Sequence, residues 1–270
     1  MLFTVFGSPI SHSLSPFIHQ AFAQQFNLNI TYTKTLSLPS EFLSQLTQLK
    51  NNHDLIGANI TSPLKQLAYS LCQKVSARAE LAESVNTIYW DSENQNRLVG
   101  DNTDGVGFER DIYINARQSF EDQNILILGA GGAASGILPN ILAHHPRAVY
   151  ILNRTQKRAE VLCDKFKINL FSNLTHDIQF DWVINTAGQF NTIENIISQK
   201  EKWMGAKFYD LSYAQFGLTP FLKSIQAFNP FWYSDGLGML VEQAAEAFYI
   251  WHHRKPETTT LLKKMRNDPT

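Results

Sequence analysis

Residues 125–134 read Ile-Leu-Ile-Leu-Gly129-Ala130-Gly131-Gly132-Ala133-Ala134. Four apolar residues form a compact buried strand, and the small residues after them match the dinucleotide fingerprint with alanine at its third position. Gly129 permits a tight turn. Gly131 lets the backbone approach a pyrophosphate, whose charge is met by the unpaired amides of a helix N-terminus. Ala134 allows that helix to sit close to the sheet. A glycine-rich turn by itself need only join a strand to a helix. Here the surrounding pattern is also present: a small-residue helix over Gly131–Ala143 and a second strand over Ala148–Leu152, within about 30 residues.

The end of that second strand selects the nucleotide. NAD sites place a carboxylate there for the ribose hydroxyls. This chain has Asn153-Arg154-Thr155, with Arg158 one helical turn later. Guanidinium groups present forked donors that match phosphate oxygens, so the pair favours NADP over NAD. Two cations at a helix start also oppose the helix dipole unless an anion lies nearby.

Outward from this motif, short apolar runs alternate with helical patterns. Leu2–Phe6, Thr31–Thr35 and Leu55–Ile60 are strand-like, while Ile18, Ala21, Phe22 and Phe26, then Phe42, Leu43, Leu46 and Leu49, recur at helical spacing. Ser15-Pro16 predicts an N-cap followed by a first-turn proline, and Leu38-Pro39-Ser40 predicts a similar helix start. Polar turn formers at Asp91–Gln95 predict a hairpin between Thr87–Trp90 and Arg97–Val99. A helix over Thr155–Phe166 and strands at Trp182–Asn185 and Lys207–Leu211 continue the alternation. The pattern predicts an α/β fold of two domains, the second Rossmann-like with a mostly parallel sheet. The boundary signal is the polar stretch Asp101–Gly107, ahead of a helix running to about Arg117. A last long helix, Gly238–His253, carries Leu240, Ala244, Ala247, Phe248 and Trp251 on a face that needs a packing partner.

Composition excludes several classes of function. The 270 residues carry 23 basic and 24 acidic side chains, a net charge of −1, so there is no global positive field for nucleic acid or an anionic membrane. Cys72 and Cys163 are the only cysteines and lack metal-ligand neighbours. The pairs His144-His145 and His252-His253 are adjacent residues rather than a ligand constellation, so no metal is expected. The longest apolar stretch, from Ile125, is broken by Gly131, Gly132 and Pro139, and no basic segment precedes an apolar one at the N-terminus. The expectation is a soluble cytoplasmic protein acting on a small molecule.

A nicotinamide cofactor needs a substrate and a proton carrier, and four polar clusters in the first half can supply them. Ser11-His12-Ser13-Leu14-Ser15-Pro16 puts hydroxyls at a helix N-terminus, a site for a carboxylate. Asn59 and Thr61 point one way at a strand end, with Lys65 in the next turn. Val85-Asn86-Thr87 opens the hairpin, and Asp101-Asn102-Thr103-Asp104-Gly105 lies at the boundary. Taken singly, each also fits a cap, a turn or a solvated charge.

Together, Val5-Phe6-Gly7-Ser8-Pro9-Ile10 with Ser13-Leu14-Ser15-Pro16, Gly57-Ala-Asn-Ile-Thr with Pro63-Leu64-Lys65, Val85-Asn86-Thr87, Asn102-Thr-Asp-Gly, Asn153-Arg-Thr and Asp235-Gly-Leu-Gly-Met closely resemble the shikimate dehydrogenase family. The resemblance implies a two-domain enzyme that reduces 3-dehydroshikimate to shikimate with NADPH, on the route to chorismate and the aromatic amino acids. It implies a substrate-binding domain over 1–103, completed by C-terminal helices at about 238–270, and an NADP-binding domain over 104–237. Lys65 and Asp104 would be the catalytic pair. Ser13 and Ser15 would bind the substrate carboxylate, with Asn59, Thr61, Asn86, Tyr213 and Gln243 lining the pocket. Gly129, Ala130, Gly131, Gly132, Ala133, Asn153, Arg154, Thr155, Arg158, Thr186, Leu211, Gly236 and Met239 would contact NADP. The chain departs from the family pattern at Thr186-Ala187-Gly188-Gln189 and at Leu211-Ser212-Tyr213.

The chemistry of the pair agrees. Reduction of a ketone builds negative charge on its oxygen, so a nearby cation that also donates a proton lowers the barrier. Asp104 would orient both the ammonium and a substrate hydroxyl. Lys65 acting as the acid, and Lys65 stabilising charge while Asp104 relays the proton, are both compatible with the sequence. A quinate/shikimate dehydrogenase with broader substrate or cofactor use and a non-catalytic NADP-binding regulator are the alternatives, and either a monomer or a homodimer fits.

Overall fold

A computed structural model describes residues 1–94, 97–171, 178–187 and 203–267. By its internal contacts the chain divides into two compact units, Met1–Gly107 with Leu240–Asn267, and Phe108–Met239.

The first unit is built on six strands: β1 (Leu2–Gly7), β2 (Thr31–Leu36), β3 (Leu55–Ile60), β4 (Lys74–Val75), β5 (Thr87–Trp90) and β6 (Leu98–Asp101). They are ordered β2-β1-β3-β5-β6-β4, with β5 antiparallel to both β3 and β6 and the remaining pairs parallel. Side chains alternate across the pleat, so β1 feeds two cores. Phe6 packs edge-on to Phe42 in a cluster with Leu46, Leu55, Ile60 and Ile88. Phe3, on the other face, packs against Trp251 with ring centroids 4.7 Å apart. The helices are α1 (Ser15–Gln25), α2 (Phe42–His53), α3 (Lys65–Leu71), α4 (Ala77–Ala82) and α5 (Asp104–Arg110). The last continues as a π-turn over Asp111–Asn115.

The second unit holds β7 (Asn124–Leu128), β8 (Ala148–Leu152), β9 (Asn169–Leu170), β10 (Trp182–Asn185), β11 (Lys207–Asp210) and β12 (Trp232–Asp235). The order is β12-β11-β10-β7-β8-β9, and every neighbouring pair is parallel. The chain leaves β7 toward β9, then returns to pair β10 on the other edge of β7. That reversal creates a crevice at the carboxyl ends of β7 and β10, where open α/β sheets bind ligands. Ile125 and Ile127 face one core with Ile137, Leu138 and Ile141 of α6 (Gly132–Ala143). Leu126 and Leu128 face another with Phe208 and Phe221. The remaining helices are α7 (Gln156–Phe166), α8 (Pro220–Ser224), α9 (Leu237–His252) and α10 (Thr259–Asn267).

Several expected boundaries move. Ser15 is the first residue of α1 rather than its cap: Leu14 holds the cap position without a side-chain bond, and Ser13 Oγ accepts from the Ser15 amide at 3.3 Å. Leu38-Pro39-Ser40 forms a turn whose Leu38 carbonyl accepts from Glu41 and Phe42, so α2 begins at Phe42. The helix after the boundary stretch starts within it, at Asp104, because Asn102 Oδ1 accepts from the Asp104 amide at 3.0 Å. From Leu240 onward α9 belongs to the first unit, and the face that lacked a partner packs within it. Phe248 meets Phe22 with centroids 5.8 Å apart, and Trp251 donates to the Ile88 carbonyl at 3.2 Å. The predicted turn at Asp91–Gln95 includes Gln95, outside the described residues.

Candidate active site

Lys65 opens α3 just past the end of β3, and Asp104 opens α5 just past the end of β6. Although 39 positions apart in sequence, Lys65 Nζ and Asp104 Oδ2 form an ion pair. Lys65 is 17% exposed and Asp104 6%. Such a pair needs further donors to offset the loss of water. Asn86 supplies one, donating from Nδ2 to Asp104 Oδ1 at 2.8 Å. The same Nδ2 lies 2.9 Å from Thr103 Oγ1 and 3.2 Å from Gln243 Oε1. Asn86 Oδ1 accepts from the Thr103 amide at 2.8 Å and from Thr87 Oγ1 at 2.9 Å. A buried amide with both ends occupied cannot rotate without losing bonds worth about 1 kcal/mol each. The network therefore presents the carboxylate and ammonium in one fixed arrangement.

A second arm continues from Asn86 to Asn59 on β3. Asn59 Nδ2 donates to the Asn86 carbonyl at 3.2 Å and to Thr87 Oγ1 at 3.1 Å, and its Oδ1 accepts from the Tyr32 hydroxyl at 2.6 Å. Ser13 donates to the Ser15 hydroxyl at 3.2 Å, and both side chains are buried at the start of α1. Thr61 follows β3, its amide bound to the Phe6 carbonyl at 2.9 Å. An alanine at Gly7 would collide with its methyl group. Asn59 and Thr61 stand where β3 ends, and Ser13 and Ser15 follow the end of β1, on either side of a second point at which strand order reverses. Gln243 reaches Thr103 because Gly107 lets α9 approach: a Cβ there would lie 2.6 Å from the Gln243 backbone nitrogen.

The second unit carries the glycine turn. Gly129 has φ +108°, and a Cβ on it would lie 2.6 Å from Thr186 Oγ1. Thr186 in turn donates to the Leu128 carbonyl at 2.9 Å. Gly131 is the opposite case, with no atom within 4 Å of an added Cβ, so the space over it is open. It precedes α6, whose N-terminus has no side-chain cap. Asn153 Oδ1 accepts from the Ala130 amide at 3.2 Å and so ties the end of β8 to the turn. Arg154, Thr155 and Arg158 stand exposed at the start of α7, which has no acidic residue in its first turn. An open backbone cradle beside uncompensated guanidinium groups fits a phosphorylated dinucleotide.

Leu211, Tyr213, Gly236 and Met239 also lie in the second unit. Leu211 donates its amide to the Asn185 carbonyl at 2.8 Å, and Gly236 sits so close to the Leu211 carbonyl that a Cβ would overlap it. Met239 packs in the core under β7. Gly188 and Gln189 lie outside the described residues. Among the described residues no group of three His, Cys, Asp or Glu side chains could hold a metal ion, and no helix is long and apolar enough to cross a membrane.

Residues 5–88 match the profile of the shikimate dehydrogenase substrate binding domain, 114–206 that of shikimate/quinate 5-dehydrogenase, and 236–266 that of the shikimate 5'-dehydrogenase C-terminal domain. A shikimate dehydrogenase (NADP(+)) from Nitrosomonas eutropha is 39% identical, over 98% of this chain and 97% of the relative. The chain belongs to the shikimate dehydrogenase family. Two solved structures with the family's fold are similar throughout. An Ael1 enzyme from Pseudomonas putida has a TM-score of 0.83 at 32% identity, covering 97% of each chain. Shikimate 5-dehydrogenase from Thermus thermophilus, in complex with NADP(H) and shikimate, has a TM-score of 0.83 at 25% identity, covering 99% of each.

Family motifs led to Lys65, Asp104, Asn59, Asn86 and Gln243, which the fold joins through hydrogen bonds. They did not lead to Tyr32, Thr87 or Thr103, which complete the same network. Thr87 and Thr103 adjoin motif residues, a signal open to a search for hydroxyls beside buried amides. Tyr32 gave none, because in sequence it reads as an ordinary apolar position of β2.

Proposed function

We propose that this protein catalyses the reversible NADPH-dependent reduction of 3-dehydroshikimate to shikimate, with Lys65 and Asp104 as the catalytic pair. The observation that carries the reading is the sequestered Lys65–Asp104 ion pair, locked by Asn86, in a chain whose other unit bears the open Gly129–Ala133 turn. The first unit binds substrate and the second binds NADP.

Ser13 and Ser15 take the substrate carboxylate at the start of α1. Asn59, Thr61, Asn86, Tyr213 and Gln243 contact its hydroxyl and carboxylate groups. NADPH, when bound, supplies the hydride that converts the ketone carbon to an alcohol carbon. The Lys65 ammonium donates a hydrogen bond to the ketone oxygen, where negative charge grows, and lowers the barrier by meeting it with a positioned cation. Asp104 accepts from the neighbouring substrate hydroxyl and from Lys65, so the two side chains move the proton as one unit. Gly129, Ala130, Gly131, Gly132 and Ala133 would hold the pyrophosphate. Asn153, Arg154, Thr155 and Arg158 would hold the adenosine ribose and its 2′-phosphate, and Thr186, Leu211, Gly236 and Met239 would contact the nicotinamide end. The reaction belongs to aromatic amino acid biosynthesis, and the protein carries it out in the cytoplasm as a monomer or homodimer.

Initial rates with shikimate and quinate, each with NADP and NAD, test the assignment. Oxidation of shikimate with NADP should exceed the other three combinations by at least about tenfold, a difference of roughly 1.4 kcal/mol in transition-state binding. Quinate turned over as fast as shikimate would assign the broader dehydrogenase instead. No turnover with any pair would make the chain a binding protein.

A further inference from the structure

The Tyr32 hydroxyl ends one arm of the network around Asn59. Tyr32 is buried, and burial pushes its phenol well above the ordinary tyrosine range, so it remains protonated and acts as a donor. Its acceptor is Asn59 Oδ1, at 2.6 Å. Both Asn59 amide hydrogens are committed elsewhere, to the Asn86 carbonyl and to Thr87 Oγ1. The three bonds together specify which way the carboxamide faces. A carbonyl oxygen has two lone pairs, and Tyr32 uses one. The second remains to accept from a substrate hydroxyl.

The Tyr32 ring is itself held. His19 stacks on it with centroids 4.5 Å apart and planes 9° apart, and Phe22, Phe248 and Trp251 surround His19. His19 is 1% exposed, lies beside Asn59, and neither of its ring nitrogens reaches hydrogen-bond geometry. The histidine therefore serves as a flat, uncharged wall behind the tyrosine.

We propose that Tyr32 is a positioning residue: its hydroxyl orients the Asn59 carboxamide so that Oδ1 faces the substrate as a hydrogen-bond acceptor. The inference rests on the assignment of Asn59 to the substrate pocket. Tyr32 is buried with its hydroxyl on Asn59 Oδ1, so it acts on binding through Asn59 rather than on the chemical step.

The experiment is a double-mutant cycle on the full chain with Tyr32→Phe, Asn59→Ala and the pair, read as KM and kcat for shikimate and KM for NADP. Tyr32→Phe keeps the ring and its stack on His19, and the thermal midpoint should stay within roughly 5 °C of wild type. Without the phenol, Nδ2 keeps its two bonds but Oδ1 loses the one that fixes its direction, and KM for shikimate should rise about tenfold, the worth of one hydrogen bond. The value of kcat should change less than about threefold, and KM for NADP should not move. In the Asn59→Ala background Tyr32→Phe should have no further effect. An equal rise in both backgrounds, or a fall in kcat with KM unchanged, would overturn the proposal. Should Asn59→Ala leave KM for shikimate unaltered, the pocket assignment itself fails. An impaired Asn59→Ala beside an unaffected Tyr32→Phe refutes only the role of the tyrosine.

Discussion

Replacing Lys65 by methionine keeps the length of the aliphatic stem and deletes the ammonium. The backbone is untouched, since the Lys65 carbonyl accepts from the Val85 amide at 3.0 Å whatever the side chain. Asp104 loses its ion-pair partner and retains the Asn86 donor at 2.8 Å. Breaking a fully buried pair costs about 3–5 kcal/mol, and the 17% exposure of Lys65 lets water reach the site, so a loss of about 1–2 kcal/mol is expected. The fold should survive. Catalysis should suffer far more, because the proposed mechanism gives the same ammonium both the developing oxyanion and a part in proton delivery. Loss of one oxyanion donor costs about 10²–10³ in turnover and loss of a positioned acid about 10²–10⁴. One group performs both tasks, so the effects overlap and kcat should fall about 10³-fold, roughly 4 kcal/mol of barrier. KM for shikimate should change less than about threefold, since the proposal assigns substrate binding chiefly to the serines and amides. Steady-state rates followed by reduced-nicotinamide absorbance, beside a thermal melt, separate the two effects. A variant that melts normally and turns over within about tenfold of wild type would refute the reasoning, because no group performing both tasks could be lost so lightly.

Other perturbations test other parts. Arg154→Ala should raise KM for NADPH about tenfold and leave KM for NADH nearly unchanged, because only the former carries the phosphate a guanidinium grips; an unaltered cofactor ratio would remove the assignment. Gly129→Ala places a methyl 2.6 Å from Thr186 Oγ1 at φ +108°. It should weaken NADP binding measured by fluorescence titration and lower the melting temperature, and an unchanged affinity would count against the turn as a cradle. His19 gives a pH effect. Burial draws its pKa down from 6.5 to about 3. Between those values the unfolded chain binds a proton that the folded chain refuses, so stability is complete above pH 6.5 and declines as pH falls toward 3. From pH 7.5 to pH 5 the loss should be about 2 kcal/mol, and His19→Gln should flatten that slope in urea titrations. Parallel slopes in the two proteins would exclude His19 as the source.

Most of the secondary structure was legible because its causes are local. Ile125–Leu128, Ala148–Leu152 and Trp182–Asn185 are runs of apolar residues bounded by turn formers, and they became strands almost residue for residue. Helix starts were less legible. Ser15 looked like a cap because a serine before a proline commonly is one, yet the Ser13 hydroxyl reaches the Ser15 amide and the helix begins a residue earlier than the cap reading requires. The candidate site divided the same way. Lys65 and Asp104 were named by resemblance to the family's motifs, but the role of Gly107 in letting α9 bring Gln243 to Thr103 depends on backbone approach in space. Tyr32 was invisible for a related reason: β2 is an edge strand, and only its register beside β1 carries the phenol toward Asn59.

What the chain determined in one dimension is the class of chemistry. The order of small residues in 129–134, the arginines after β8, and a lysine and an aspartate each just past a strand end follow from spacing, and spacing survives without coordinates. Which polar atoms satisfy one another was decided only by folding. Burial removes water as an alternative partner, so Asn86, Asn59, Tyr32 and Thr103, joined by Gln243 from 157 positions beyond Asn86, must bond among themselves. The energy of an unpaired buried group is a property of its surroundings in space, and no local pattern encodes it.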